Sequence, residues 1–222
     1  MLLAEELALV ALRPDKGRPA HGTRDSLNAC LAGLLLAELA LEGMAEPGEH
    51  DKITLTGKGT ATGTLAAVAD VVGEKGPKIK SIVSGMDRGL SRRLGMGTWD
   101  AVTSGLVDAG VLTRGGGRRP SLDLIDARPR DEAIVLLRAA AGGEGPIEPR
   151  TALVLSMAGP ADLLEIVAPE RGGARRHARQ RIDHALDGTQ WEPIGSIVRR
   201  LIADAEAAAA VAATVATVAT GA

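Results

Sequence analysis

The chain has 222 residues, 45% of them hydrophobic and 24% charged, with a mean hydropathy of +0.08, a composition that folds and excludes a disordered chain. There is no Phe, no Tyr and only two Trp, so the core is built from Leu, Val, Ile and Ala, which favours closely packed helices. The formal net charge of −2 supplies no global field for nucleic acid, and the lone Cys30 excludes an internal disulfide.

Residues 2–12, LLAEELALVAL, set apolar side chains at 2, 3, 7, 9, 10 and 12 with Glu5 and Glu6 on another face. This predicts an amphipathic helix, ended by Pro14 and the turn PDKGRP. The segment has no basic leader and two acids among its apolar residues, so it does not read as a signal peptide. Residues 25–43, DSLNACLAGLLLAELALEG, give the strongest helix signal: Asp25 or Ser26 caps it, Gly43 closes it, and its interior is apolar nearly all round. Such a helix belongs in the middle of a core.

DKITLTGKG (51–59) predicts a short strand and turn, TLAAVADVVGEKG (64–76) a helix, and KIKSIVSGM (78–86) a helical or extended segment. A helix starts at Thr98 and stops at Gly110. VLTRGGGRRPSLDLID (111–126) predicts two short strands around a Gly-rich turn, with Leu122 and Leu124 on one face. Helices follow over RDEAIVLLRAAAGG (130–143), over two stretches divided near Gly159-Pro160, and over GGARRHARQRIDHALDG (172–188). The last, long helix begins near Pro193 and ends in EAAAAVAATVATVATGA, only about the minimum length for a membrane span, and is read as buried or docked. About eight helices with one or two hairpins make a mainly α fold in a single domain over 1–222, expected in the cytoplasm.

The familiar chemistries find little support. In TLTGKGTATGTLAAVA the glycines stand at 57, 59 and 63, which is neither the dinucleotide spacing nor a Walker loop. Four histidines and one cysteine form no metal-ligand cluster, and His177 and His184 lie among arginines. No nucleophile elbow is present, so no catalytic residue, metal or cofactor is expected. ARRHARQRIDH could touch phosphates, but acids flank it and aromatic stacking groups are lacking; a surface helix burying Ala174, Ala178, Ile182 and Ala185 explains it. Residues 75–119 nevertheless hold nine bases against three acids, a local excess able to bind anions.

Taken in order, LLAEELALVALRPDKGR, GTRDSLNACLAGLLLAELALEG, LVDAGVL before the hairpin, RTALVLSMAGPADLLEIVAP and RQRIDHAL resemble the Golgi phosphoprotein 3-like family in a short bacterial form, over roughly residues 1–220. The resemblance implies a central helix bundle ringed by amphipathic helices, a β-hairpin beside a basic pocket, and no catalytic activity. It also implies peripheral membrane binding through phosphatidylinositol 4-phosphate, and recruitment of partners by their tails. The family's four pocket positions fall on Thr23, Ala32, Met96 and Trp99, so none of its headgroup contacts stands in place. Arg24, Arg88, Arg92 and Arg93 are close enough in sequence to substitute, which makes Arg24, Arg88, Arg92, Arg93 and Trp99 the expected lipid-binding set. Where relatives carry an apolar, aromatic tip, this hairpin offers Arg118-Arg119-Pro120-Ser121, so Arg114, Arg118, Arg119 and Leu122 are the expected membrane-facing residues.

Two functions follow as expectations. One is a peripheral protein that binds anionic phospholipid, or another phosphorylated ligand, reversibly at the inner face of the membrane. The other is a soluble adaptor for a protein tail or peptide that has lost the lipid site. Self-association through the last helix or the hairpin suits either.

Overall fold

A computed structural model describes residues 1–19, 24–116 and 121–220, with side chains up to 205 and at 207. Ten helices and three two-stranded antiparallel hairpins lie among the described residues. Helix α1 (Leu3–Ala11) leads into a small hairpin, β1 (Leu12–Arg13) and β2 (Arg18–Pro19). Helix α2 (Arg24–Leu41) is the axis of the molecule and touches α1, α3 (Gly63–Lys75), α4 (Ile79–Leu94), α5 (Thr98–Asp108), α7 (Pro149–Ser156) and α10 (Glu192–Thr220). The consecutive Leu34, Leu35 and Leu36 are all fully buried, which only a helix wrapped on every side allows. Each such leucine contributes roughly 2 kcal/mol over an exposed one. The core is aliphatic, as the composition demands, and Trp99 and Trp191 are both buried in it.

The segment 78–86 is helical. It opens α4, whose Ile79, Ile82, Val83 and Met86 face inward against α3 and α2. The hairpin of β3 (Ala45–Gly48) and β4 (Lys52–Leu55) adds a strand that the sequence does not announce, because Pro47 and Gly48 are poor strand formers. Ile53, fully buried, pins it to the core. The third hairpin, β5 (Leu112–Arg114) with β6 (Leu122–Leu124), pairs Leu112 with Leu124 and Arg114 with Leu122. It carries the expected alternation: Leu122 is buried, Leu124 half-buried and Asp123 exposed.

Helix α6 (Arg128–Gly142) packs on α1 and α7. The break at Gly159-Pro160 is wider than the sequence suggests, and only the four-residue α8 (Leu164–Val167) follows it. The basic helix α9 (Gly173–Asp183) buries Ala178 and Ile182 and leaves Ala174 exposed, while Ala185, expected on the same helix, lies half-buried in the turn after it. Its Arg181 donates to the carbonyls of Ala140 and Gly145 and so completes the C-terminal end of α6. Among the described residues no helix is long and apolar enough to cross a membrane. The side chains of the Ala-rich tail of α10, expected to dock, lie outside the described residues.

One half-buried carboxylate carries a cost. Burial pushes the Glu6 carboxyl above its ordinary range, with Arg150 pulling it partly back, and its Oε1 is buried without a hydrogen-bond partner. A raised carboxylate pKa penalises the charged form in the fold. The penalty is absent where folded and unfolded chains are both protonated, grows as pH rises above the unfolded value and is complete once pH has passed the folded one. Glu6→Gln is therefore expected to raise the denaturation midpoint at neutral pH, with the gain closing at about pH 4. Equal gains at both pH values would show that charge is not the cause.

Candidate functional site

Two of the hairpins meet edge to edge. The β1–β2 turn closes by the amides of Lys16 and Gly17 donating to the Arg13 carbonyl. Gly17 is left-handed at φ 58°, and a Cβ there would stand 2.7 Å from the Ser121 Cβ and 2.8 Å from the Leu122 nitrogen. Only glycine suits both demands. The Leu122 amide then donates to the Gly17 carbonyl at 3.1 Å, which locks β6 against the turn.

The contact brings Lys16 and Arg18 beside the strand pair that carries Arg114. All three are exposed, and among the described residues none forms a salt bridge. Arg13 does: it holds Asp15 at 3.0 Å and draws that carboxyl below its ordinary range. The edge therefore presents cations that form no salt bridge among the described residues, although the Lys16 charge also acts on Asp15. Arg118 and Arg119, expected at the tip of the third hairpin, lie outside the described residues.

The arginines of α4 divide. Arg92 and Arg93 reach Glu74 of α3 at 3.0 Å and 2.7 Å, and the hydrogen bond from Arg93 is the main reason the Glu74 carboxyl lies below its ordinary range. Arg93 also donates to the carbonyls of Gly89 and Asp70. These two arginines join helices. Arg88 is exposed and makes no salt bridge among the described residues. Arg24 spans from α2 to α5 and pairs with Asp100 at 3.1 Å.

Two expected contact residues lie inward. Trp99 and Leu122 are each 6% exposed and pack in the core, because α5 turns its Trp99 face to the bundle and β6 turns its leucines the same way. They frame the surface rather than present an apolar face to a ligand. Thr23, the other aligned pocket position named with Arg24, lies outside the described residues.

A pocket of about 330 Å³ opens between the N-terminal ends of α2 and α5, the face of α4 and the side of α10. Asp25 and Thr98, the chain neighbours of Arg24 and Trp99, line it together with Asn28, Asp87, Leu201 and Ile202. Asp87 Oδ1 accepts from the Thr98 amide at 2.8 Å and from Asn28 Nδ2 at 3.2 Å, so it caps the start of α5. Its lining carboxylates make this pocket hostile to a phosphate.

Sequence reasoning passed over Lys16 and Arg18. The signal was the PDKGRP turn, whose glycine permits the close approach of the second hairpin. Nor did it find the pocket, since its polar groups come from segments about sixty residues apart, as with Asn28 and Asp87. Among the described residues no cluster of His, Cys, Asp and Glu is set to hold a metal. Burial pushes the Cys30 thiol far up, which leaves it unreactive at neutral pH.

The family model for Golgi phosphoprotein 3 (GPP34) matches residues 3–216, essentially the whole chain. No curated protein matches the chain.

Proposed function

Because the chain belongs to the Golgi phosphoprotein 3 (GPP34) family, whose members bind lipid or protein, we propose that it is a non-enzymatic peripheral protein that docks reversibly on anionic phospholipid headgroups. The observation that supports this reading is the abutment of the β1–β2 turn and the β5–β6 hairpin, which gathers Lys16, Arg18 and Arg114 with no acid paired to any of them among the described residues. A basic residue at an anionic surface contributes about 1 kcal/mol, screened by salt. The contact is electrostatic and lies at headgroup depth, because Leu122 is used in the core. Arg118 and Arg119 stand four and five residues after Arg114 in the sequence and belong to the same basic stretch. The proposed place is the cytoplasm, at the inner face of the membrane. Selectivity for phosphatidylinositol 4-phosphate is the family's property; charge alone gives this chain a broader preference.

Co-sedimentation with phosphatidylcholine vesicles, with and without phosphatidylserine, tests the reading. Binding is expected only to the anionic vesicles, falling as salt rises. The double variant R18E and R114E is expected to bind about thirtyfold more weakly, from about 2 kcal/mol of lost attraction. R118E with R119E is expected to act in the same direction. Unchanged binding of both double variants would make the hairpin edge a bystander.

A second reading, an adaptor for a protein tail that has lost the lipid site, draws on the acids Asp25 and Asp87 next to the positions where the resemblance puts the headgroup contacts. Absence of any salt-sensitive vesicle binding would favour it.

A further inference from the structure

We propose that the pocket between α2, α4, α5 and α10 binds an ammonium group carried on a short aliphatic stem. Asp87 organises the polar end: its Oδ1 holds both the Thr98 amide and the Asn28 side-chain amide. Each of those two residues keeps one oxygen unfilled. Thr98 is fully buried, yet its Oγ1 has no hydrogen-bond partner, and Asn28 Oδ1 is likewise buried and without one. Buried polar atoms are normally satisfied, so two orphans around one carboxylate mark a place for a donor that the chain does not supply.

The missing group has to offer several N–H donors and positive charge. An ammonium has three donors and no acceptor, which matches the Asp87 carboxylate, Asn28 Oδ1 and Thr98 Oγ1. Asp25 adds a second negative charge to the lining. No described Lys or Arg forms a salt bridge with Asp25 or Asp87: Arg24 is held by Asp100, and Lys80 pairs with Asp204 at 3.8 Å. The lining also includes the aliphatic Val83, Leu201 and Ile202. At about 330 Å³ the volume stands at the lower end of the roughly 300–1,000 Å³ usual for ligand sites, room for one stem. A free alkylamine and the lysine side chain of a partner peptide share this chemistry.

Calorimetric titration of the full chain with n-pentylamine, with 1-pentanol as the neutral counterpart, tests the inference. Pentylamine is expected to bind and pentanol not. D87N keeps the oxygen that caps α5 and is expected to weaken pentylamine at least tenfold; D25N and T98V are expected to weaken it by smaller factors. Should D87N melt early, D25N and T98V carry the comparison. Titration with Nα-acetyl-lysine amide separates the sources: tighter binding than pentylamine assigns the site to a peptide side chain, weaker binding to a free amine. No heat with any amine would mean that water fills the pocket and would overturn the proposal. Equal binding of pentanol, or variants that bind as the parent does, would overturn it too. None of these outcomes depends on vesicle binding at the hairpins.

Discussion

Arg150→Ala is expected to destabilise the fold by about 3 kcal/mol, read as a lower denaturant midpoint at unchanged slope. The reason is the residue left behind. Glu38 sits on the axial helix α2 and is 3% exposed. Its Oε1 accepts from Arg150 Nη1 at 2.9 Å, and its Oε2 accepts the Leu3 amide at 2.7 Å. Arg150 also donates to the Met1 carbonyl at 3.2 Å. Without the guanidinium, a core carboxylate retains one strong donor and no countercharge, and removing one partner of a buried pair costs far more than the pair itself is worth. Two comparisons fix the interpretation. Replacing both partners, as in E38M with R150M, is expected to recover much of the loss. Added salt is expected to leave the loss nearly unchanged, since Glu38 is shielded from solvent. A loss below about 1 kcal/mol would place the pair among ordinary surface bridges.

Gly33→Leu is expected to cost about 3 kcal/mol and to loosen one element first. A Cβ at Gly33 would stand 2.7 Å from Val198 Cγ2 and 3.5 Å from Ile194 Cγ2, both on α10. The absent side chain is what lets α10 lie close on α2. A leucine adds a branched group where packing is already tight, and α10 has to move. The melting temperature should fall, and hydrogen exchange should quicken in α10 ahead of α1 and α2. Gly33→Ala is expected to be close to neutral: the helix gains up to about 1 kcal/mol of propensity, offset by displacement of the Val198 methyl. Uniform acceleration of exchange throughout the chain would contradict a local seam.

The fold was largely legible, and the reasons are physical. Helices α1 and α2 declare themselves by period and by a long apolar run, and the resemblance over the whole chain named the right family. The segment 78–86 stayed open between helix and strand because a short run with Ile79, Ile82 and Val83 suits both. Strand β3 escaped because its pairing with β4, not the propensity of Pro47 and Gly48, makes it a strand. The candidate surface was legible only as a sum of charge. Local sequence cannot tell that Arg92 and Arg93 meet Glu74 eighteen and nineteen residues earlier, or that Arg24 meets Asp100 seventy-six residues later. Nor can it tell that Gly17 brings a second hairpin alongside the first. Spent and unspent arginines read alike until the fold is known.

The clasp of Arg150 and Glu38 on the start of α1 also bears on the order in which the molecule is built. On the ribosome α1 is made long before α5, α6 and α7, the helices that with α2 enclose it. Its apolar stripe and the carboxylates of Glu5 and Glu6 therefore wait through most of synthesis with only α2 for company. Such distant pairings slow folding, because the chain between them has to be ordered before the contact rewards it. The nascent α1–α2 pair is the stretch with most to gain from a holding chaperone, and release of the residues around 150 is the moment at which the bundle can close.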